Sequence, residues 1–203
     1  VTAELGDLAE AFRLSEDACA QLGARTGALA AEALWTAATV STRQGNHDLS
    51  TAFLERAMAA LSSRDDLLLW LRLRHAAAAL ALQAMPPDLE KARRYLDEAR
   101  PAVELVGTAQ HQQERAFLLA QFAYARGAYE EAERLCEQAA ADEDQLSFRD
   151  RIRREMLQEQ IRVKRSDPTA HARLRALAAK AQTHGMLDLT AEVWRAAAEA
   201  QPQ

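Results

Sequence analysis

The chain repeats itself at a step of about 40 residues, and this repeat constrains the fold more than any other feature. The clearest copy spans residues 117–139, FLLAQFAYARGAYEEAERLCEQA: an apolar helix, a break at Gly127, and a second apolar helix. Leu119 and Ala120 close the first helix against a partner, and Gly127 supplies the backbone freedom that ends it. Tyr129 covers the turn, while Ala132 and Ala139 keep the second helix thin enough to pack closely. Steps of about 40 from Ala132 land on Ala92, Ala52 and Ala172, and a further step of about 41 lands on Ala11. A hairpin of this kind cannot bury its apolar face alone and stacks on its neighbours. The sequence therefore predicts an all-α chain of about ten helices in five units, a single repeat domain over residues 1–203.

Helices are expected over about 3–22, 26–44, 48–61, 65–85, 89–105, 109–126, 129–139, 145–165, 171–183 and 187–200. Gly45 and Asn46 end the second, Asp65 or Asp66 starts the fourth, and Pro86-Pro87-Asp88 stops it and caps the fifth. Pro101 should kink or shorten the end of the fifth helix. Asp142-Glu143-Asp144 reads as an acidic loop, and Asp167-Pro168 as an N-cap followed by proline at the first helical position. The last helix has no successor and would close the end of the array. The first is read as the second half of a hairpin. Val1 then marks a cut inside a longer array, although a non-methionine start codon read literally leaves the same residue.

Composition agrees with tight helix packing, since 49% of residues are hydrophobic but only 5% aromatic. A net charge of -5 gives the chain as a whole no electrostatic reason to bind nucleic acid or an anionic membrane. The longest apolar run, residues 76–82, is too short to span a bilayer, and no basic segment followed by an apolar one opens the chain. Cys19 and Cys136 are far apart with no CxxC pair, which fits a reduced, cytoplasmic setting.

The segment RGAYEEAERLCEQA resembles the second half of a tetratricopeptide motif, through Gly127, Tyr129, Ala132 and Ala139, and GDLAEAFRLSEDA at residues 6–18 matches nearly as well. The resemblance implies a right-handed superhelix, an α-solenoid of helical hairpins. The step of about 40 is longer than the usual 34. Such lengthened repeats are similar to those in the sensor region of large ATP-binding, LuxR-type bacterial transcriptional regulators. That likeness implies a recognition module for a protein or peptide partner or a small-molecule inducer, in transcription regulation and signal transduction. The alternative is a structural adaptor in a multiprotein assembly without signal input. Units three and five depart from the motif, with Pro87 before Asp88 where glycine is usual and Pro168 in place of the turn aromatic. Asn46 is the only asparagine, which argues against the basic, asparagine-rich clamp by which some relatives of this motif hold chaperone C-termini.

No local pattern points to catalysis, a cofactor or a metal. His47, His75, His111, His171 and His184 fall on different units without HExxH spacing, and neither GxSxG nor GxxxxGK[ST] occurs. Arg149, Arg151, Arg153, Arg154, Arg162, Lys164 and Arg165 are the one candidate for a nucleic-acid patch. Asp150, Glu155 and Glu159 lie among them with no interleaved aromatic, so a solvated, salt-bridged face is expected and direct nucleic-acid contact is not. Leu67, Leu68, Leu69, Trp70, Leu71 and Leu73 are apolar nearly all round their helix, which suits a two-sided solenoid helix or self-association. Cys136 and Ala176 are read as equivalent small core positions.

First helices of stacked hairpins line the concave side. Repeat stepping there gives columns: Arg74, Glu114 and Arg154; Ala77, Phe117 and Leu157; Ala81, Gln121 and Ile161; Ala84, Tyr124 and Lys164. Glu114, Phe117, Gln121 and Tyr124 share one helix face at 3,4,3 spacing, a candidate groove for a side chain or small ligand that Trp35 extends. The competing reading has Phe117 and Tyr124 filling space between helices while Arg74, Glu114 and Arg154 neutralise one another.

Overall fold

Short polar side chains start the helices. In the computed structural model, which describes residues 7–139 and 147–199, the Asp7, Asn46, Asp66, Asp88 and Ser147 side chains accept from the backbone N–H of Glu10, Leu49, Leu69, Lys91 and Asp150, at 2.9–3.2 Å. Each satisfies one of the donors a helix leaves open at its first turn. The described residues form ten helices and no strand: α1 Leu8–Leu22, α2 Ala28–Arg43, α3 His47–Ala60, α4 Leu67–Gln83, α5 Leu89–Val106, α6 Ala109–Ala125, α7 Tyr129–Ala139, α8 Phe148–Lys164, α9 Ala170–Thr183 and α10 Leu187–Glu199. The all-α expectation holds. The acidic stretch 142–144 lies outside the described residues.

The tight turns share one stop signal. The N–H of Asn46, Ala128, Asp167 and Met186 returns to the carbonyl five residues earlier, on Ser41, Ala123, Arg162 and Ala181, at 2.9–3.2 Å. This bond needs a left-handed residue just before it, and Gly45, Gly127 and Gly185 hold φ of 78°, 82° and 70° there. At the fourth such turn the residue is Ser166, at φ 64°.

The repeat stepping is corrected at two of its five positions. Ala11, Ala92 and Ala132 are buried, at 8%, 0% and 0% exposure, but Ala52 and Ala172 point to solvent. Their places are taken by Ser50 and Ala170, at 1% and 0%. The phase of each second helix is set by its cap, not by a constant step. Ser50 follows the Asn46 cap by the same interval as Ala11 follows Asp7 and Ala92 follows Asp88. Ser50 adds what alanine cannot: its hydroxyl donates to the Ala38 carbonyl at 2.8 Å and meets the Thr42 hydroxyl at 2.6 Å, tying α3 to α2. A second small residue one heptad on is also buried in three helices, at Ala57, Ala99 and Ala139.

α9 differs for a local reason. Proline does not take the first helical position: Thr169 is the N-cap and the helix begins at Ala170. The Asp167 carboxylate is drawn into a turn, accepting from the Thr169 N–H at 2.8 Å and hydroxyl at 2.6 Å. Those bonds, with Arg173 beside it, hold the Asp167 pKa down at about 2. The Ala170 N–H then reaches only three residues back, to the Asp167 carbonyl at 3.3 Å, and this tighter turn advances the phase by a residue. Ala176 is accordingly exposed, and buried Leu174 is the core residue of that turn, so the pairing of Cys136 with Ala176 fails. Pro101 does not shorten α5, which continues through it to Val106.

The chain divides into two compact units, Val1–Thr108 and Ala109–Gln203. In the first, α1 to α5 each pack on the next. Leu69, Leu71 and Leu73 of α4 are buried there at 3%, 0% and 0%, Leu67 and Trp70 pack against buried Ala99, Ala102 and Val103, and Leu68 alone of the stretch is largely exposed. In the second, α6 to α10 pack successively, and α8 also touches α6 and α10, so α6, α8 and α10 form one layer and α7 and α9 the other. Ile152, Leu174, Leu177, Leu189 and Val193 are the centre of its core.

Serine in a left-handed conformation costs more than glycine, so Ser166→Gly should stabilise the chain by about 0.5–1 kcal/mol. Gly127→Ala, where an added Cβ meets no atom within 4 Å, should lose about 1 kcal/mol from backbone strain alone. Urea unfolding of both variants measures the two signs. Equal effects of the same sign would refute the shared stop signal.

Candidate recognition surfaces

The first helices carry most of the large half-buried side chains, and arginine organises them. In the first unit, Trp35 of α2 lies half-buried with the Arg72 guanidinium of α4 4.6 Å from its ring centroid. Arg72 is exposed and has no ion pair among the described residues. Leu68, 40% exposed, sits one turn before it on α4. Arg74 stacks differently: it lies 4.0 Å from the Trp70 centroid, its Nε donates to Glu98 at 3.3 Å, and its side chain is only 13% exposed. Burial lowers the Arg74 pKa, against the opposing pull of Glu98. Its Nη1 is buried without a hydrogen-bond partner among the described residues.

Behind these helices, α3, α4 and α5 leave a small cavity of about 80 Å³ lined by Leu54, Met58, Leu80, Ala81 and Tyr95. Lys91 and Glu55, 3.8 Å apart, stand at its rim. At roughly 30 Å³ per water it has room for two or three waters, about half the space that a benzene-sized ligand occupies.

In the second unit, Glu114, Phe117, Gln121 and Tyr124 share one face of α6 and are all half-buried. Phe117 and Tyr124 pack against Ala120, Ala123, Ala132, Cys136, Leu157 and Ile161. The Tyr124 ring is 5.6 Å from that of Tyr129, and burial pushes its phenol up to about 12. Glu114 accepts from Gln110 at 3.2 Å. Gln121, between the two aromatics, makes no hydrogen bond among the described residues, so its amide is open to an outside partner.

α8 turns three of its four repeat-stepped residues inward, with Arg154, Leu157 and Ile161 at 3%, 3% and 1% exposure, while Lys164 at its end is exposed. Arg154 lies close enough to Cys136 to pull its thiol pKa down, but burial dominates and holds it at about 12. Arg149 and Arg153 of α8 and Arg165 at its C-cap find carboxylates on other helices: Arg149 on Asp188 at 2.7 and 3.1 Å, Arg153 on Glu192 at 3.0 Å, and Arg165 on Glu133. Glu159, 7% exposed, takes Arg162 from its own helix and Arg173 from α9. Glu155 pairs with Lys180. The sequence points to local partners, Asp150, Glu155, Glu159 and the acidic loop 142–144, which lies outside the described residues. Among the described residues most partners come from α7, α9 and α10.

Arg74, Trp35 and Arg72 fall in one unit and Glu114, Phe117, Gln121, Tyr124 and Arg154 in the other. Within the second, α6 brings the first four onto one face and α8 buries Arg154. Sequence stepping missed Arg72, which stands 37 residues beyond Trp35 and out of step with the repeat. No set of three or more His, Cys, Asp or Glu able to hold a metal occurs among the described residues, and no helix there is long and apolar enough to cross a membrane. No family model matches the chain, and no curated protein matches it significantly.

Phe117→Ala removes a half-buried ring and should cost on the order of 2–3 kcal/mol, below the usual loss for a fully buried phenylalanine. Gln121→Ala should change stability by less than about 0.5 kcal/mol. Chemical denaturation decides this, and a large loss at Gln121 would make it a packing residue.

Proposed function

We propose that this chain is a recognition module that binds a protein or peptide partner on the exposed faces of its first helices. The observation that supports the reading is the Trp35–Arg72 stack, an aromatic face and an exposed guanidinium, without an ion pair among the described residues, held together at the surface of the first unit. A stacked guanidinium keeps its N–H donors in a fixed plane, so it loses little freedom on meeting a carboxylate or peptide carbonyl. Leu68 adds an apolar contact beside it. On the second unit the open amide of Gln121, between Phe117 and Tyr124, offers orientation without charge.

The setting we propose rests on the resemblance to lengthened tetratricopeptide repeats: the sensor or interaction region of a cytoplasmic bacterial transcriptional regulator, with a right-handed superhelical stack presenting these faces. A small-molecule inducer is the other occupant such a region accommodates.

Pull-down with the intact chain, followed by calorimetric titration of the recovered partner, tests the surface. Trp35→Ala and Arg72→Ala should each weaken binding by about tenfold or more, while the exposed Arg72 leaves the melting temperature nearly unchanged. Unchanged affinity in both variants would remove the stack from the binding surface.

A further inference from the structure

α10 carries three stripes where a helix at the edge of a core needs two. Leu189, Thr190, Val193, Ala196 and Ala197 are buried on α8 and α9. Asp188 and Glu192 reach back to Arg149 and Arg153 of α8. A third stripe, Leu187, Ala191, Trp194 and Ala198 at 4,3,4 spacing, is apolar and solvent-exposed, with Leu187 73% and Trp194 45% exposed. An indole and a leucine two turns apart, with alanines between and beyond, are a poor water-facing surface and a good helix-facing one.

We propose that this stripe docks on the same stripe of a second copy of the chain, as an antiparallel pair related by a two-fold axis through Ala191. The charges select that partner and that direction. Asp188 and Arg195 flank the stripe on one side, seven residues apart, and Arg195 is exposed with no ion pair among the described residues. About an axis through Ala191 both contacts fall within one residue of ideal register: Trp194 meets Leu187 of the second copy, Arg195 meets Asp188 of the second copy, and symmetry repeats both contacts. A parallel pair would turn this flank toward the opposite side of the partner's stripe, where Thr190 and Ala197 lie, and leave both charges without a counterpart. Ala191 at the axis lets the helices approach to about 8–10 Å, the spacing of a packed pair. One helix face per copy buries less than the roughly 1,600 Å² of a standard stable interface, so the association is weak and concentration-dependent. It would present two copies of the recognition faces, and it does not depend on what those faces bind.

Sedimentation velocity of the intact chain, from low micromolar to several hundred micromolar, should give a monomer–dimer equilibrium. Ala191→Glu, which removes little that is packed, and Trp194→Glu should each weaken dimerisation at least tenfold with the thermal melt nearly unchanged. Arg195→Asp and Asp188→Arg should each be monomeric alone, one bearing two acidic flanks and the other two basic ones. Their mixture should recover a dimer of one copy of each, because every flank then meets its opposite. A chain that is monomeric at every concentration overturns the proposal, as does a dimer that survives Ala191→Glu. Failure of the mixture to recover, with both variants folded by their melts, overturns the antiparallel arrangement.

Discussion

The contact on which each hairpin depends is the close approach of its second helix, one turn after the cap, to the helix before it. Only a small side chain fits there, and Ser50, Ala92, Ala132 and Ala170 fill it at 1% exposure or less. Larger residues then have room on either side: Phe53 and Leu54 beside Ser50, Tyr95 and Leu96 beside Ala92, Leu135 beside Ala132. Dispersion contacts fall away steeply with distance, so a methyl at this point determines how much of the rest of the face is in contact at all. Serine is tolerated at the first of these positions because its hydroxyl is satisfied on the Ala38 carbonyl and Thr42, leaving no buried polar group to oppose the packing.

This explains what was and was not legible beforehand. The helices were visible because their signals are local: caps at Asp66 and Asp88, a glycine stop at Gly127, apolar periodicity between. A fixed step failed at Ala52 and Ala172 because it carries every insertion and every tight turn as a phase error, and a two-residue error moves a side chain by roughly 200° around the helix. Counting from each cap finds Ser50, although serine does not look like core; α9 needs its three-residue first turn as well, which only the Asp167–Thr169 bonds disclose. The candidate surface suffered the same way. Glu114, Phe117, Gln121 and Tyr124 lie on one helix, where spacing is reliable, and they share a face. Arg72 had to be found across two helices.

The charges on α8 show why an arginine-rich helix in an acidic chain need not be a nucleic-acid patch. Arg149 and Asp188, Arg153 and Glu192, and Arg165 and Glu133 pair residues 32 to 39 positions apart. Exposed pairs of this kind contribute up to about 1 kcal/mol each. Their effect on specificity is larger than on stability, because a helix rotated by one residue would lose all its partners together. α8 is held at its neighbours' register by charge on its outer side and by Ile152, Leu157 and Ile161 on its inner side.

The same distinction separates two arginines that the sequence presents alike. Arg74 and Arg72 are on one helix, each over a tryptophan, at 4.0 and 4.6 Å. Arg74 is desolvated and tied to Glu98, and removing it would bare the Trp70 indole face and leave Glu98 with only its 3.9 Å pair to Arg94. Arg72 stays exposed, has no ion pair among the described residues, and meets α2 through its stacking on Trp35. Burial, more than residue type, therefore separates the two: Arg72 stays at the surface over Trp35, and Arg74 is held within the packing over Trp70.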